Sequence, residues 1–294
     1  MSGFAFDQAE GLRRLLGRDA LRVVTVVSGK PRAGQTSVVA NLACALAGQG
    51  KSVLVIDEGI GADSCATRFG LAPRIELAQV LKGQAPLAQA LLPYNDAIHV
   101  LPAREGLRRL IDLTPDAHDQ LARALQALPW KPDIALIDLA ADRTQRTLPA
   151  ASAADAVLVV LGPGHASITQ AYSLIKQLAQ EFGQRQFHLL AAKTKDDAEA
   201  EAIYNNMAEA ATRYLHAQLQ SLRPIPLDDA IKRADKLGKP AVETFPEAPA
   251  SLAYRALAQA VALLPATRPE GGHLEGFLHR LIMSGRMSEA SVRA

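Results

Sequence analysis

Gly29, Gly34, Gln35 and Thr36 have the spacing of a phosphate-binding loop, G-x-x-x-x-G-K-[ST], with one fixed position changed: Gln35 stands where the pattern has lysine. Glycines at both ends let backbone N–H groups turn inward around a phosphate, and the start of the following helix favours negative charge. The Thr36 hydroxyl is placed to sit on Mg²⁺. Gln35 removes the cation that would meet the outer phosphates. Pro31 offers no N–H and cannot take a positive φ. A tight strand-to-helix turn without a ligand is the alternative reading of the same glycines. The dinucleotide pattern G-x-G-x-x-G is absent. Two acidic residues, Asp57 and Asp138, each close an apolar run further along.

These residues need a sheet to hold them. Leu21–Val27 is an apolar, β-branched run that reads as a buried strand leading into the loop. A helical pattern follows, with Val38, Val39, Leu42, Ala43 and Leu46 on one face and Gly48 and Gly50 as stops. Further strands are expected at Val53–Ile56, Ile98–Leu101, Ile134–Ile137, Ala156–Leu161 and Phe187–Ala191, and helices at Ile168–Phe182 and Glu199–Leu215. Asp228-Asp229 opens a helix that Gly238-Lys239-Pro240 closes, and Ala250–Leu264 makes a last core helix. Strands alternating with helices at this spacing predict a doubly wound α/β fold with a mostly parallel sheet.

Composition narrows the classes. The chain has 294 residues, 49% hydrophobic and 21% charged, which excludes a largely disordered protein. Thirty-two basic against 30 acidic residues leave +2, so no direct nucleic-acid binding is expected. Cys44 and Cys65 cannot by themselves make a disulfide framework or a zinc site. His99, His165 and His188 are scattered rather than clustered as ligands. Asp7 and Glu10 interrupt any signal-peptide core, and no apolar run approaches the roughly 18 residues of a membrane span, so a cytoplasmic protein is expected.

Lys30, directly after Gly29, makes the loop resemble the deviant Walker motif K-G-G-x-G-K-T of the MinD/ParA family. Within that family the chain resembles the FlhG (FleN) regulators of flagellar number. The matching stretches are 7–15 (DQAEGLRRL), 167–172 (SITQAY), 224–229 (PIPLDD), 245–246 (FP), 250–254 (ASLAY) and 273–277 (HLEGF). The resemblance implies that Lys30 reaches the nucleotide of a second subunit, that Asp57 and Asp138 are the acidic strand ends of the nucleotide site, and that ATP or ADP and Mg²⁺ are the cofactors. It also implies that Pro31 and Arg32 replace two glycines, Gly59 replaces a water-positioning aspartate, and Leu139 and Ala192 replace a threonine and an adenine-reading asparagine. Glu58 lies one position from the lost aspartate, with its side chain starting in the wrong direction. Losing a charged phosphate contact costs about 1.5–3 kcal/mol and a base contact about 1 more, so a micromolar site would weaken roughly a hundred- to a thousandfold. Hydrolysis loses two of its parts, which favours a pseudo-ATPase over the alternative, an active ATP-dependent switch between monomer and membrane-bound dimer.

The resemblance divides the chain into an N-terminal helix (1–19), a P-loop domain (20–265), and a linker with a C-terminal helix (266–294). Phe4, Gln8, Leu12 and Leu15 recur at near-helical spacing, and mid-helix Gly11 is costly for a purely structural helix. The family's corresponding segment stimulates a partner GTPase. Gln8 is therefore expected to orient the attacking water, with Leu12 and Leu15 as anchors and Arg13 steering. Leu274, Phe277, Leu278, Leu281 and Ile282 form an amphipathic face, and two readings stay open for it: a peripheral membrane helix or packing on the core. The partners implied are an SRP-type GTPase of the FlhF kind, flagellar switch or C-ring proteins, a flagellar transcription activator, the inner membrane surface and a second copy of the chain.

Overall fold

A computed structural model of the chain describes residues 21–104, 106–140, 148–264 and 274–292. The expectations for Gln8, Leu12, Arg13 and Leu15 lie outside these residues, as does the side chain of Leu274.

Nine strands among the described residues form one sheet: β1 (Arg22–Ser28), β2 (Val53–Asp57), β3 (Leu92–Pro93), β4 (Ile98–Pro102), β5 (Ile134–Asp138), β6 (Ala156–Leu161), β7 (Gln186–Thr194), β8 (Gln218–Ser221) and β9 (Ile225–Pro226). Their order is β3-β4-β2-β5-β1-β6-β7-β8, with β9 paired to β7. Every pairing is parallel except β3 with β4. Strands β2, β5 and β6 are buried throughout, as expected for strands covered on both faces.

The covering helices used below are α1 (Gln35–Ala47), α2 (Leu148–Ala153), α3 (His165–Glu181), α4 (Asp197–Leu215), α5 (Asp229–Lys236), α6 (Pro249–Ala262) and α7 (Leu274–Val292). Alternation along β1 sends Val24 and Val26 into the core under α1 and α6, while Val23 and Val27 face the core under α2, α3 and α7. Helix α5 is capped by Asp228, whose carboxylate accepts from Ala230 N–H, and Pro240 lies beyond its C-terminal end, as the sequence signals require.

The short strands β3, β8 and β9 are additions to the sequence reading. β8 reads QLQS and buries only Leu219, so it carries no apolar run to announce it.

Helix α7 takes the core-packing alternative. Phe277, Leu278 and Leu281 are buried beside α2, and Ile282 is half-buried. Arg280 donates to Ala153 O at 2.8 Å and pairs with Asp155 at 3.1 Å. Asp155 also accepts from Val23 N–H of the central strand at 2.8 Å. In this conformer the face expected to meet a bilayer is not presented to one. No helix among the described residues is long and apolar enough to cross a membrane.

Candidate functional site: the cleft at the carboxyl ends of β1, β2, β5 and β7

Ligands of open parallel sheets bind beyond the carboxyl ends of the strands, and the candidate residues meet there. Ser28 ends β1 and its hydroxyl donates to Lys30 O at 2.9 Å, starting the turn. Gly29 has a packing reason to be glycine: an added Cβ would lie 2.3 Å from Ala171 N on α3. Gly34 has a conformational one, since it caps α1 with φ 107°. Arg32, where the resemblance leads one to expect a glycine, holds φ 62°, the left-handed region that costs a side-chain-bearing residue roughly 1–2 kcal/mol.

The cleft has a volume of about 420 Å³, and Gly34, Gln35, Thr36, Asp138 and Lys193 are among its lining residues. Asp57 is buried and, like Gly29 and Lys30, is not part of its lining.

Gln35 is buried and turned onto the end of β5. Its amide Nε2 donates to Asp138 Oδ1 at 2.6 Å and to Leu139 O at 2.5 Å. The residue that replaces the phosphate-binding lysine is thus committed to holding a carboxylate.

Asp57 and Asp138 are register partners on β2 and β5, both buried. Burial first, and then the neighbouring Asp57 charge, push the Asp138 carboxyl up to about 7, against hydrogen bonds from Gln35, Thr36 and Cys65. Burial also raises Asp57, although it accepts from Gly59 N–H at 2.9 Å and Ala66 N–H at 2.9 Å. Cys65 Sγ lies 3.3 Å from Asp138 Oδ2, and its thiol is held well above its usual range, chiefly by burial, so it serves as a donor.

Gly59, where the resemblance leads one to expect an aspartate, has no room for a side chain. An added Cβ would meet Asp63 O at 2.4 Å and Ser64 Cα at 2.6 Å. Glu58 does not take over: its Oε2 accepts from Ala140 N–H at 3.0 Å, bracing the segment after β5.

Three features of the cleft were missed in the sequence. Arg68, on the short helix Cys65–Arg68, pairs with Asp235 of α5 across the cleft. Lys232 of α5 lines it and pairs with Asp229 at 3.1 Å. Lys193, near the end of β7, reaches the loop itself, with Nζ 3.1 Å from Arg32 O. Ala192, beside it, is buried and brings no polar group to the cleft.

The model of the CobQ/CobB/MinD/ParA nucleotide binding domain matches residues 24–241. The chain belongs to this MinD/ParA family. It is 32% identical to the antiactivator FleN of Pseudomonas aeruginosa over 262 residues, covering 89% of this chain and 94% of that protein. It is 27% identical to the flagellum site-determining protein YlxH of Helicobacter pylori, covering 67% of this chain and 69% of that one. Among solved structures, the cell division ATPase MinD of Pyrococcus furiosus aligns with a TM-score of 0.65 at 25% identity, over 83% of this chain and all but 1% of that one, which it covers to 99%. The MinD/ParA resemblance and the doubly wound fold read from the sequence are both borne out.

The MinD/ParA family implies a nucleotide with Mg²⁺, and the donors present fit the metal. Thr36 and Asp138 both line the cleft and are hard oxygen donors, which suits an ion that otherwise keeps phosphate oxygens and water. Asp57, Cys65 and Asp138 also bring donor atoms within 4.8 Å of one another. That trio is a hydrogen-bonded cluster whose thiol stays protonated, a poor match for Mg²⁺.

Proposed function

We propose that the protein regulates flagellar number or placement through protein–protein contacts, and that its MinD/ParA domain binds nucleotide weakly without turning it over. The observation that carries the second half is the engagement of Gln35 with Asp138. Phosphoryl transfer depends on positioned charge, and here the loop's own cation is absent while its substitute points at a carboxylate. Gly59 adds a second loss that the backbone cannot accommodate restoring. Similarity to FleN and YlxH supports the flagellar half.

In this reading the N-terminal segment stimulates an FlhF-type GTPase through Gln8, with Leu12, Arg13 and Leu15 as its docking residues. C-ring components and a flagellar transcription activator are further partners. Membrane contact through α7 requires the helix to leave α2, because its apolar face is now buried. The alternative, an active dimerising ATPase, draws on the retained Lys30, Thr36 and Asp138.

The test is a deletion in the native host with flagella counted by electron microscopy. Flagellar number or placement changes, and the wild-type gene restores it. Unchanged number and placement would remove the flagellar reading.

A further inference from the structure

The cleft lacks the lysine of the loop, yet a lysine is present at the loop. Lys193 comes from β7, two strands away from β1 in the sheet, and its ammonium lies 3.1 Å from Arg32 O. Its Cε would be 3.4 Å from a Cβ placed on Gly34, the residue directly before Gln35. The side chain therefore lies across the turn whose N–H groups would surround a phosphate.

Two further observations set Lys193 apart from an ordinary surface lysine. Its backbone is left-handed, with φ 62°, a conformation that a residue with a side chain holds at a cost and that clusters at functional sites. Its surroundings also leave the charge poorly compensated: burial, and then Arg68, lower its pKa, with Lys232 and Lys30 acting in the same sense against Asp235. A polyanion in the cleft would relieve that repulsion.

We infer that Lys193 supplies the phosphate-contacting cation that Gln35 has lost, approaching from the end of β7 instead of from the loop, so that the cleft still takes a nucleoside di- or triphosphate. This rests on reading the cleft as a nucleotide site. One of the three ammonium protons is used on Arg32 O, which leaves two for phosphate oxygens. The relocated lysine restores charge for binding without restoring the position from which the loop lysine acts. It therefore accounts for weak binding and absent turnover together.

The test uses the full-length protein and calorimetric titration with ATP·Mg²⁺ and ADP·Mg²⁺. Lys193→Gly removes the ammonium and also releases the left-handed strain, so the variant melts no lower than the wild type and any loss of binding is not unfolding. Its affinity for ATP·Mg²⁺ falls by about tenfold or more, the size of a lost charge-assisted contact. Lys193→Arg keeps the affinity within about threefold. Equal affinity for wild type and Lys193→Gly overturns the inference, as does absence of binding by the wild type at millimolar nucleotide. Neither result touches the flagellar reading. Conversely, turnover by the wild type contradicts the pseudo-ATPase reading and leaves the assignment of Lys193 standing if Lys193→Gly still loses affinity.

Discussion

Gln35 donates a 2.6 Å hydrogen bond to Asp138, so the first residue of α1 and the last residue of β5 are locked to each other beneath the phosphate loop. A neutral amide can make this bond whether Asp138 is ionised or, with its remaining acceptor oxygen, protonated. A lysine at the same place would draw Asp138 toward the ionised form. Gln35→Lys is therefore predicted to lower the Asp138 pKa from about 7, read as the loss of its carboxyl titration near neutrality in carbon-detected NMR.

Stability should depend on pH through the same carboxylate. Its folded pKa lies above the unfolded value near 3.9, so the native state binds more protons between about pH 4 and 7. The sign follows directly: ionising Asp138 weakens the fold, and this contribution declines as pH rises through that window and is flat above it. Asp138→Asn imitates the protonated acid. Its melting temperature relative to wild type should rise from pH 5 to pH 8, and a constant difference would contradict an Asp138 carboxyl held up by burial and, secondarily, by the Asp57 charge.

Gly59→Asp should not rebuild a catalytic aspartate. Its Cβ would press on Asp63 O and Ser64 Cα, both backbone atoms. Overpacking of this kind costs about 1–3 kcal/mol, so melting should fall by roughly 2–12 °C. The double variant Gln35→Lys with Gly59→Asp should still lack full MinD-type activity, since Pro31 still offers the loop no N–H.

The C-terminal helix offers a separate test. Phe277 is 1% exposed, so Phe277→Glu buries an unpaired charge and should lower the melting temperature by several degrees. Arg280→Ala removes the bonds to Ala153 and Asp155 that fasten the helix. If α7 serves a membrane, that variant should co-sediment with anionic vesicles more than the wild type does. No gain would remove the membrane role.

Much of this arrangement was legible in the sequence, and the reasons are physical. β1, β2, β5 and β6 are covered on both faces, so they appear as largely apolar runs ending in Ser28, Asp57, Asp138 and Leu161. The loop was visible because glycine spacing is a local property. Lys193 was not, because its role depends on a left-handed residue at the end of β7 bringing a side chain over a loop 161 positions earlier. The sequence signal available was a lysine just past an apolar strand run, which many surface strands share. The direction of Gln35 was equally hidden: its identity says that a charge is missing, and only the fold shows that the amide is spent on Asp138. The two readings of α7 could not be separated by periodicity, since a bilayer and a protein core select the same apolar face.

A peptide covering Met1–Leu21 should raise the GTP turnover of an FlhF-type partner, and Gln8→Ala in that peptide should remove most of the effect. Phosphate release with and without peptide reads both. No stimulation, together with unfolding of the protein on deletion of residues 1–20, would make the segment structural.

The measurement that bears most directly on the account is ATP hydrolysis by the purified wild-type protein, followed as phosphate release with Mg²⁺ at saturating nucleotide. The rate should be no higher than that of a control without protein, because Gln35 is bonded to Asp138 and Gly59 supplies no carboxylate. Turnover comparable to an active MinD-type ATPase would contradict it.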